Sequence, residues 1–556
     1  MIPGESNGFV MSTFSESAAA KTALALSVLT IVGFGVYCVI YTGISLKGSV
    51  AKDYEEFITA RGSSSKWKIA WSFFGSAVGS WVVAAVADYA FWAGILGSFF
   101  YAFSAGFPIV LIAMWGEGIR TKFPTVLSIT DFALLRFGIV TQWFVVALCL
   151  FNMGIACAAE YTTLSALFRS YVGINDYSVF IVVLMALVTM GYTLYGGLRI
   201  SIVTDQVQAI AAVIFAFVIA VYMIADWRFD ESFEPDQDLK NQLLGKTETG
   251  YSSIFTMPLS LVTATVFSEA MWQRVWASED KQALRFGAFT AFLMIFIVVM
   301  FFGAIGILGG WAGYVGYDTD PNLRVFYTIT PTENANGIVN SAIGVVILIL
   351  AVTMSESAVD SFQNGMGASL TGAIAKYFSD KHTLFMSRVV VVVLNVPLVI
   401  VGSLNLKVIN LFLITNMLCT CGAFPIMLGF SENTFLLRCL TDWVPLTSFV
   451  LSLICLVIYG TSQVYDSGMS FGSNLSNGIS MAFYDNFYTW DYFAVAIGSS
   501  IGITGVLLRI NSFLVHSERE TARMGPDSGT RSPVAEDLDD AIFVQPDSKS
   551  SIAITE

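Results

Sequence analysis

The most informative stretch of the sequence is LAVTMSESAVDSFQNG, residues 350–365. It interrupts an apolar run that begins near residue 338 and is otherwise long enough to cross a bilayer. Glu356 and Asp360 stand four residues apart, so they share one helix face, and Ser357 and Ser361 add hydroxyls beside them. A carboxylate at mid-membrane costs at least ~2.5 kcal/mol, so such groups usually line a cavity or an ion path. The alternative is that one of the two lies near the cytoplasmic end and is solvated.

Composition indicates a helical membrane protein. Of the 556 residues, 55% are hydrophobic and 12% are charged, and the mean hydropathy is +0.70. The apolar runs reach about 20 residues or more, which suits spanning helices, whereas a transmembrane barrel needs short alternating strands. We therefore predict an all-α polytopic membrane protein. The net charge of −13 comes partly from the tail and the long loops, and we expect no nucleic-acid partner.

The apolar runs predict thirteen membrane spans, at about residues 22–46, 67–92, 94–119, 138–168, 176–196, 201–226, 254–275, 284–310, 338–374, 385–403, 407–429, 443–463 and 489–513. Lys47 and Lys52 follow the first span, so the positive-inside rule places the N-terminus outside and the C-terminus in the cytoplasm. This topology leaves the following cations in cytoplasmic loops: Arg120, Lys122, Arg136, Arg199, Arg274, Lys281, Arg285, Lys376, Lys381, Arg388 and Arg438. We divide the chain into an extracellular N-terminus (1–20), a transmembrane domain (21–514) and a disordered, polar cytoplasmic tail (515–556).

The long loops 227–253, 311–337 and 464–488 fall on the outer side in this topology. Asn474 begins an Asn-Leu-Ser glycosylation sequon in the last of them, so the chain is expected to be a glycoprotein if that loop is extracellular.

Enzyme chemistry is not indicated. The seven cysteines lie in or beside apolar stretches without zinc spacing, and we expect all of them to be buried thiols. With only two histidines, a histidine-based catalytic or metal site is not expected. No nucleophile–base pair or metal-ligand cluster stands out, so we predict that the chain is not an enzyme and holds no organic cofactor.

Two spans show signs of interruption. In the second span, Gly75 and Gly79 are each followed by serine, which indicates either close helix packing or a break that exposes backbone carbonyls. The seventh span carries Pro258 and lies five crossings later. Interrupted helices at corresponding positions predict an inverted-repeat transporter with a midplane site.

Several polar or aromatic residues in these spans are candidates for the site. The candidate substrate-binding residues are Trp81, Asp88, Glu160, Thr263, Thr265 and Asn416. The candidate ion-coupling carboxylates are Asp205, Glu356 and Asp360. Glu160 stands in a span with few other charges and could take up a proton if it is buried. Asp205 has an alternative interpretation, because a carboxylate one turn into a helix also suits the positive end of the helix dipole.

The segment YTLYGGLRISIVTDQVQA, residues 192–209, resembles the signature of the sodium:solute symporter family, with its Gly-Gly turn followed by Thr-Asp. WQRVWAS, residues 272–278, is similar to the Gln-Arg motif of that family. The resemblance covers about residues 20–465. AVTMSESAVDS (351–361) and FFGSAVGSWVVAA (73–85) look most like the urea active transporter branch, which takes up urea and, in fungi, polyamines with protons or sodium.

The resemblance implies a site for the coupling ion. The family fold is the five-plus-five inverted repeat of the leucine transporter, with a sodium site between the broken second span and the ninth. Carried over by position, the ligands would be backbone oxygens of Gly75, Val78 and Met354 and the hydroxyl of Ser357. The second family hydroxyl falls on Ala358, which has none, so proton coupling competes with sodium coupling.

We therefore expect a secondary active symporter that imports a small polar solute, urea or polyamine-like, across the plasma membrane. The coupling ion would be a proton or sodium, and the protein would act as a monomer in the bilayer. The alternative is a membrane nutrient sensor that retains the transporter fold and signals through its tail.

Overall fold

The computed structural model describes residues 18–45, 54–173, 175–225, 227–229, 233–331, 342–377, 379–404, 406–431 and 433–523. Within these ranges the chain is helical, with no strand, and helix makes up 85%. The predicted all-α architecture is therefore confirmed. Residues 1–17 and 524–556, most of the predicted N-terminus and tail, lie outside the described part, as do Lys47 and Lys52.

The α-helices follow one another in this order: α1 (Ala18–Ser45), α2 (Tyr54–Thr59), α3 (Lys66–Ala77), α4 (Ala87–Lys122), α5 (Ile129–Arg136), α6 (Ile139–Ala166), α7 (Asn175–Ala225), α8 (Gln237–Leu243), α9 (Glu248–Val266), α10 (Glu269–Ala277), α11 (Lys281–Trp311), α12 (Arg324–Ile329), α13 (Ala342–Ile374), α14 (Asp380–Gly402), α15 (Val408–Leu428), α16 (Thr434–Cys439), α17 (Trp443–Gln463), α18 (Phe471–Ser480) and α19 (Trp490–Arg523). Single π-helical turns occur at Val82–Val86, Leu167–Tyr171 and Met481–Asp485. Short 3₁₀ turns occupy Pro321–Leu323 and Ala375–Tyr377.

The number of membrane crossings agrees with the sequence. Ten helices in the described ranges are long and apolar enough to cross a bilayer, and the bent pair α9–α10 adds an eleventh. Two of the ten are each interrupted once, α4 at Gly94 and α7 at Gly197. With 51 residues, α7 would be about 75 Å long if straight, far more than the ~30 Å bilayer core. Dividing both helices at their glycines brings the number to the predicted thirteen.

Gly197 makes the sharp break between the fifth and sixth crossings possible. Its φ is +58°, a left-handed conformation that side chains with a Cβ rarely adopt. A Cβ at this position would also lie 2.3 Å from the carbonyl oxygen of Phe57. The predicted Gly-Gly turn is thus required both by backbone conformation and by the close approach of α2.

Helix α13, which contains the stretch 350–365, lies at the centre of the bundle. Of its most apolar window, 72% is buried, compared with 22% for α1 and 17% for α14. It packs against α6, α7, α1 and α14 and also against α10 and α3. A helix surrounded in this way presents its polar residues to other helices rather than to lipid.

Asn474 is only 1% exposed, and its side chain donates to Asp466 O and accepts from Asp466 N, each at 2.9 Å. Its glycosylation stays a prediction.

Two expectations from the sequence are corrected. Cys455 is exposed on the surface of α17, so not all seven cysteines are buried. Helix α19 runs to Arg523, beyond the predicted start of the tail at residue 515.

Gly197→Ala should destabilise the protein, because the new Cβ needs an unfavourable backbone conformation and meets the Phe57 carbonyl. The left-handed conformation alone costs ~1–2 kcal/mol. We expect a lower melting temperature of the purified protein in detergent. Gly191→Ala on the same helix is the matched control, since a Cβ there meets no atom within 4 Å. Equal melting temperatures for the two variants would contradict this account of the turn.

Candidate functional site

The second span is broken between α3 and the π turn at Val82–Val86. Val78 is extended (φ −105°, ψ 94°), and its amide makes the last α3 bond, to Phe74. Val82 N then bonds Gly79 O at 3.2 Å rather than Val78 O. The carbonyls of Gly75 and Val78 thus lose the amide donors that a continuous helix would supply. Of the two interpretations of the glycines, the structure supports the break.

Glu160 of α6 holds this break in place. Its Oε2 accepts hydrogen bonds from Ser80 N at 2.8 Å and from Ser80 Oγ at 2.6 Å. Its Oε1 is buried, with the Ser355 hydroxyl of α13 as a polar neighbour. Gly79 makes room for the carboxylate, because a Cβ there would lie 2.0 Å from Oε1 and 2.9 Å from the Ala358 Cβ. The carboxylate therefore lies where the break, α6 and α13 meet.

The seventh span is also broken, between α9 and α10. The two helices are bent by 65° at Phe267 and Ser268. Asn152 of α6 donates to the carbonyls freed there, Ala264 O at 2.9 Å and Phe267 O at 3.4 Å. Pro258, which suggested the interruption, lies inside α9 instead. The break comes nine residues later, where no proline or glycine stands.

A buried ion pair joins α7 to α10. Arg274 Nη2 lies 2.8 Å from Asp205 Oδ2, and both side chains are fully buried. The same guanidinium donates to Ser361 Oγ at 2.7 Å and to Ala270 O at 2.7 Å. The prediction that Arg274 lies in a cytoplasmic loop is therefore wrong: α10 returns the residue to the interior. Asp205 pairs with this arginine rather than only with its own helix dipole.

Serine and threonine hydroxyls donate further hydrogen bonds to the buried carboxylates of Asp205 and Asp360. Asp205 accepts from Ser72 Oγ at 2.7 Å and from Ser357 Oγ at 2.8 Å. Asp360 accepts from Ser201 Oγ and Thr204 Oγ1, each at 2.8 Å. Two carboxylates and one guanidinium thus share a cage of buried hydroxyls. A buried charged group is tolerated only with such partners.

The predicted ion ligands lie at the edge of this cluster. A Cβ built on Gly75 would lie 2.9 Å from Asp205 O and 3.0 Å from Ser357 Oγ. Val78 and Met354 are both buried, on the break and on α13. The Gly75 backbone therefore lies beside the Ser357 hydroxyl, which donates to the Asp205 carboxylate at 2.8 Å. These are oxygen donors of the kind that bind a hard cation.

Glu356 lies apart from the hydroxyl cage. It is fully buried, yet neither carboxylate oxygen has a hydrogen-bond partner among the described residues. Together with Asp205 and Asp360 it makes three buried carboxyl groups for the one guanidinium of Arg274. This excess of acidic groups is the main electrostatic feature of the bundle centre.

An aromatic row extends from the broken span. Half-buried Trp81 stacks on Tyr101, with centroids 5.8 Å apart, and meets the edge of Phe412 at 5.9 Å. Tyr89 contacts Tyr101 at 5.5 Å and Tyr488 at 5.9 Å. We call Trp81, Tyr101, Tyr89 and Tyr488 the aromatic row. Its far end is polar, since the amide of the predicted site residue Asn416 donates to Tyr488 OH at 2.9 Å.

The other predicted substrate residues occupy different places. Asp88 accepts from Arg324 Nε at 2.8 Å, and the guanidinium lies 4.1 Å from the centre of the Phe91 ring. This buried pair ties α4 to the short helix α12. The Thr263 hydroxyl lies 3.1 Å from that of Thr420, joining α9 to α15. Thr265 bonds the carbonyl of Leu261 in its own helix.

Sequence reasoning named the carboxylates but missed most of their partners. Ser72, Ser201, Thr204 and Arg274 were not candidates, although they complete the cluster. For Arg274 a signal existed, because it stands in the quoted stretch WQRVWAS between two tryptophans. Both tryptophans are among the largest fully buried side chains, which shows that this segment is interior.

The comparisons with known proteins agree with this geometry. A model of the sodium:solute symporter family matches residues 57–429. The chain belongs to the sodium:solute symporter family. This match spans both broken spans, the hydroxyl cage and α13, and it confirms the family assignment made from the sequence.

Two relatives of this symporter family point to one branch. The chain is 23% identical over 395 residues to the spermidine transporter DUR31 of Candida albicans, covering 71% of this chain and 73% of the relative. It is 24% identical over 208 residues to the urea-proton symporter DUR3 of Oryza sativa subsp. japonica, covering 36% of this chain and 28% of the relative. Both are consistent with the predicted urea active transporter branch.

A solved structure supports the fold. The chain matches a Na⁺-coupled sialic acid symporter in a substrate-bound, outward-open state with a TM-score of 0.62. The identity is 17%, and the match covers 89% of this chain and 97% of the other. The leucine-transporter-like fold predicted for this symporter is thereby confirmed.

Arg274→Gln should strongly destabilise the protein, because it leaves Asp205 and Asp360 buried without a cation. Breaking a buried pair costs ~3–5 kcal/mol. We expect a large drop in melting temperature and partial recovery in the double variant with Asp205→Asn, which removes one stranded charge.

Arg285→Gln is the matched control for that experiment. Arg285 pairs with Glu117 at 2.6 Å but is 69% exposed, so its loss should leave the melting temperature nearly unchanged. If Arg274→Gln were as stable as this control, the buried pair would not hold α7 and α10 together.

Proposed function

We propose that this protein is a secondary active symporter that imports a small polar solute, urea or a polyamine, across the plasma membrane. The observation that carries the proposal is the break in the second span beside a centre with more acidic groups than cations. The backbone of the break, the Ser357 hydroxyl and buried carboxylates lie next to one another there. Such a centre is neutralised when a cation or proton enters, which is what coupling requires.

Coupling follows from a difference in binding between two states. An ion shifts the balance between outward-open and inward-open states only if it binds one of them more tightly. Gly75, Val78, Met354 and Ser357 belong to two different elements, the broken span and α13. A cation bound between them favours the state in which the two elements are close. Asp205 adds charge to this site, and Asp360 and Glu356 are the carboxyl groups available for proton coupling.

The solute would bind next to the ion site. Glu160 bonds Ser80 at the break, and Trp81 is the next residue of the same span. Thr263 and Asn416 belong to the neighbouring helices α9 and α15. Residues 21–514 would form the transporter domain of a monomer, with the N-terminus outside and the C-terminal tail in the cytoplasm. This orientation follows from the positive-inside rule.

Labelled urea and spermidine uptake in a transporter-deficient cell tests the proposal. Uptake is measured at two pH values, with and without sodium, against cells that carry the empty vector. We expect saturable uptake of at least one solute that depends on a sodium or proton gradient. Uptake of neither solute, or uptake indifferent to both gradients, would refute coupled import of this solute class.

Ser357→Ala should separate sodium from proton coupling. If sodium is the coupling ion, loss of a ligand hydroxyl should abolish sodium-driven uptake. Ser369→Ala is the matched control, because that hydroxyl lies further along the same helix and donates to Gly365 O at 2.9 Å. Unchanged sodium dependence in Ser357→Ala would remove this residue from the ion site.

A further inference from the structure

We propose that the cavity between the first turns of α9 and the start of α19 is an outer subsite, which binds an ammonium group of a cationic amine before transport. In the topology expected from the positive-inside rule, both helices begin on the outer side of the membrane. The proposal rests on the proposed function and narrows its solute class from small polar molecules to organic cations such as polyamines.

The cavity has a volume of about 670 Å³ and combines a carboxylate with aromatic rings. Its wall is formed by Glu248, Tyr251, Ser252, Ile254, Phe255 and Trp490. Tyr251 and Trp490 are 58% and 53% exposed, so the cavity opens at the protein surface. From Glu248 to Phe255 the helix rises by roughly 10 Å, so the cavity reaches only the outer part of the bilayer. A solute arriving from water can therefore enter it.

Glu248 gives the cavity a negative charge. No Lys or Arg side chain in the described ranges lies within 4 Å of its carboxylate. A local explanation also exists, because Glu248 stands in the first turn of α9, where the helix dipole favours an anion. That explanation does not account for the rings and the buried hydroxyl that share the same cavity wall.

The rings of the wall favour an organic ammonium group over a metal ion. A hard metal ion needs about six or more oxygen ligands, whereas the side chains of the wall offer one carboxylate and two hydroxyls. Half of the lining side chains are aromatic: Tyr251, Phe255 and Trp490. Aromatic faces attract alkylammonium groups through cation–π interactions, and the aliphatic carbons of the same molecule can pack on them.

Ser252 forms a polar part of the cavity wall. Its side chain is only 4% exposed, and its hydroxyl has no hydrogen-bond partner in the part of the chain that the structure describes. Buried hydroxyls nearly always have a partner. An N–H group of a bound amine would donate to this oxygen while the charge of the amine is met by Glu248.

Polar groups continue inward from Ser252. Thr256 lies one turn further along the same face of α9, and its hydroxyl is a polar neighbour of Tyr89. Tyr89 belongs to the aromatic row and contacts Tyr488, whose hydroxyl accepts from Asn416 at 2.9 Å. These contacts lead from the cavity toward the proposed solute site. They favour a free cationic solute over the ammonium headgroup of a lipid, which would remain at the membrane surface.

Binding of labelled spermidine to the purified full-length protein in maltoside detergent tests the proposal separately from transport. The variants are Glu248→Gln, which removes the charge, and Trp490→Leu, which removes one ring. Both side chains are exposed, so neither change should disturb folding. Glu234→Gln is the matched control, because it removes an equal charge from an exposed residue that pairs with Lys240 at 2.9 Å. Phosphatidylcholine retention and the uptake of spermidine and urea are measured for the same proteins.

We expect Glu248→Gln and Trp490→Leu each to weaken spermidine binding about 2–5-fold, the range of exposed ion pairs and exposed cation–π contacts. The apparent KM of spermidine uptake should rise by a similar factor with an unchanged maximal rate, because capture precedes translocation. Urea is uncharged, so its uptake should not respond. The effect of Glu248→Gln should shrink at high salt, which screens exposed charges.

Unchanged spermidine binding in both variants would overturn the proposal. An equal loss in Glu234→Gln would also overturn it, by indicating only a diffuse effect of surface charge. If phosphatidylcholine is retained by the unaltered protein and lost from Glu248→Gln while spermidine binding persists, the cavity holds a lipid headgroup and the solute assignment is wrong.

Two outcomes separate this inference from the proposed function. Urea uptake without spermidine binding by the unaltered protein would overturn the outer subsite and leave symport intact. Spermidine binding that depends on Glu248, without uptake of either solute, would refute symport and retain the subsite.

Discussion

The structure depends on how a few buried charges are satisfied in a medium that cannot solvate them. Asp205 and Arg274 lie 2.8 Å apart with no exposed surface, and each would be untenable alone. Their pairing brings α10 back into the bundle and sets it against α7 and α13. The hydroxyls of Ser72, Ser357 and Ser361 surround the pair, so three further contacts depend on the same two charges.

The broken second span lies next to this buried charge cluster. A helix interruption frees carbonyl groups, which is costly in a membrane unless other groups meet them. Gly75 lies against Asp205 of α7 and Ser357 of α13, whose oxygens suit an ion. A few residues on, Ser80 is held by the buried carboxylate of Glu160 on α6. The break is thus tied to three helices at once.

Most of the membrane crossings and helix breaks could be predicted from the sequence. The thirteen crossings follow from apolar run length, since the bilayer core imposes a minimum span. Gly197 and the Gly75–Gly79 pair marked real interruptions, because the absence of a Cβ is a local property that the sequence displays directly. The break in the seventh span was expected near Pro258 but lies at Phe267 and Ser268, because the carbonyls there are satisfied by Asn152 of another helix. Arg274 was misplaced for a similar reason: charge alone predicts a loop, and only a distant partner makes burial possible.

The membrane class, the number of crossings, the glycine breaks and the conspicuous carboxylates can thus be predicted from the amino-acid sequence. These features depend on composition and on neighbours a few residues away. Which carboxylate meets which partner depends instead on how distant helices pack. Asp205 finds Arg274 69 residues along the chain, and Glu160 finds Ser80 across 80 residues. Hydrogen bonds between helices that are far apart in sequence leave no periodic pattern, so these partnerships appear only once the helices are packed.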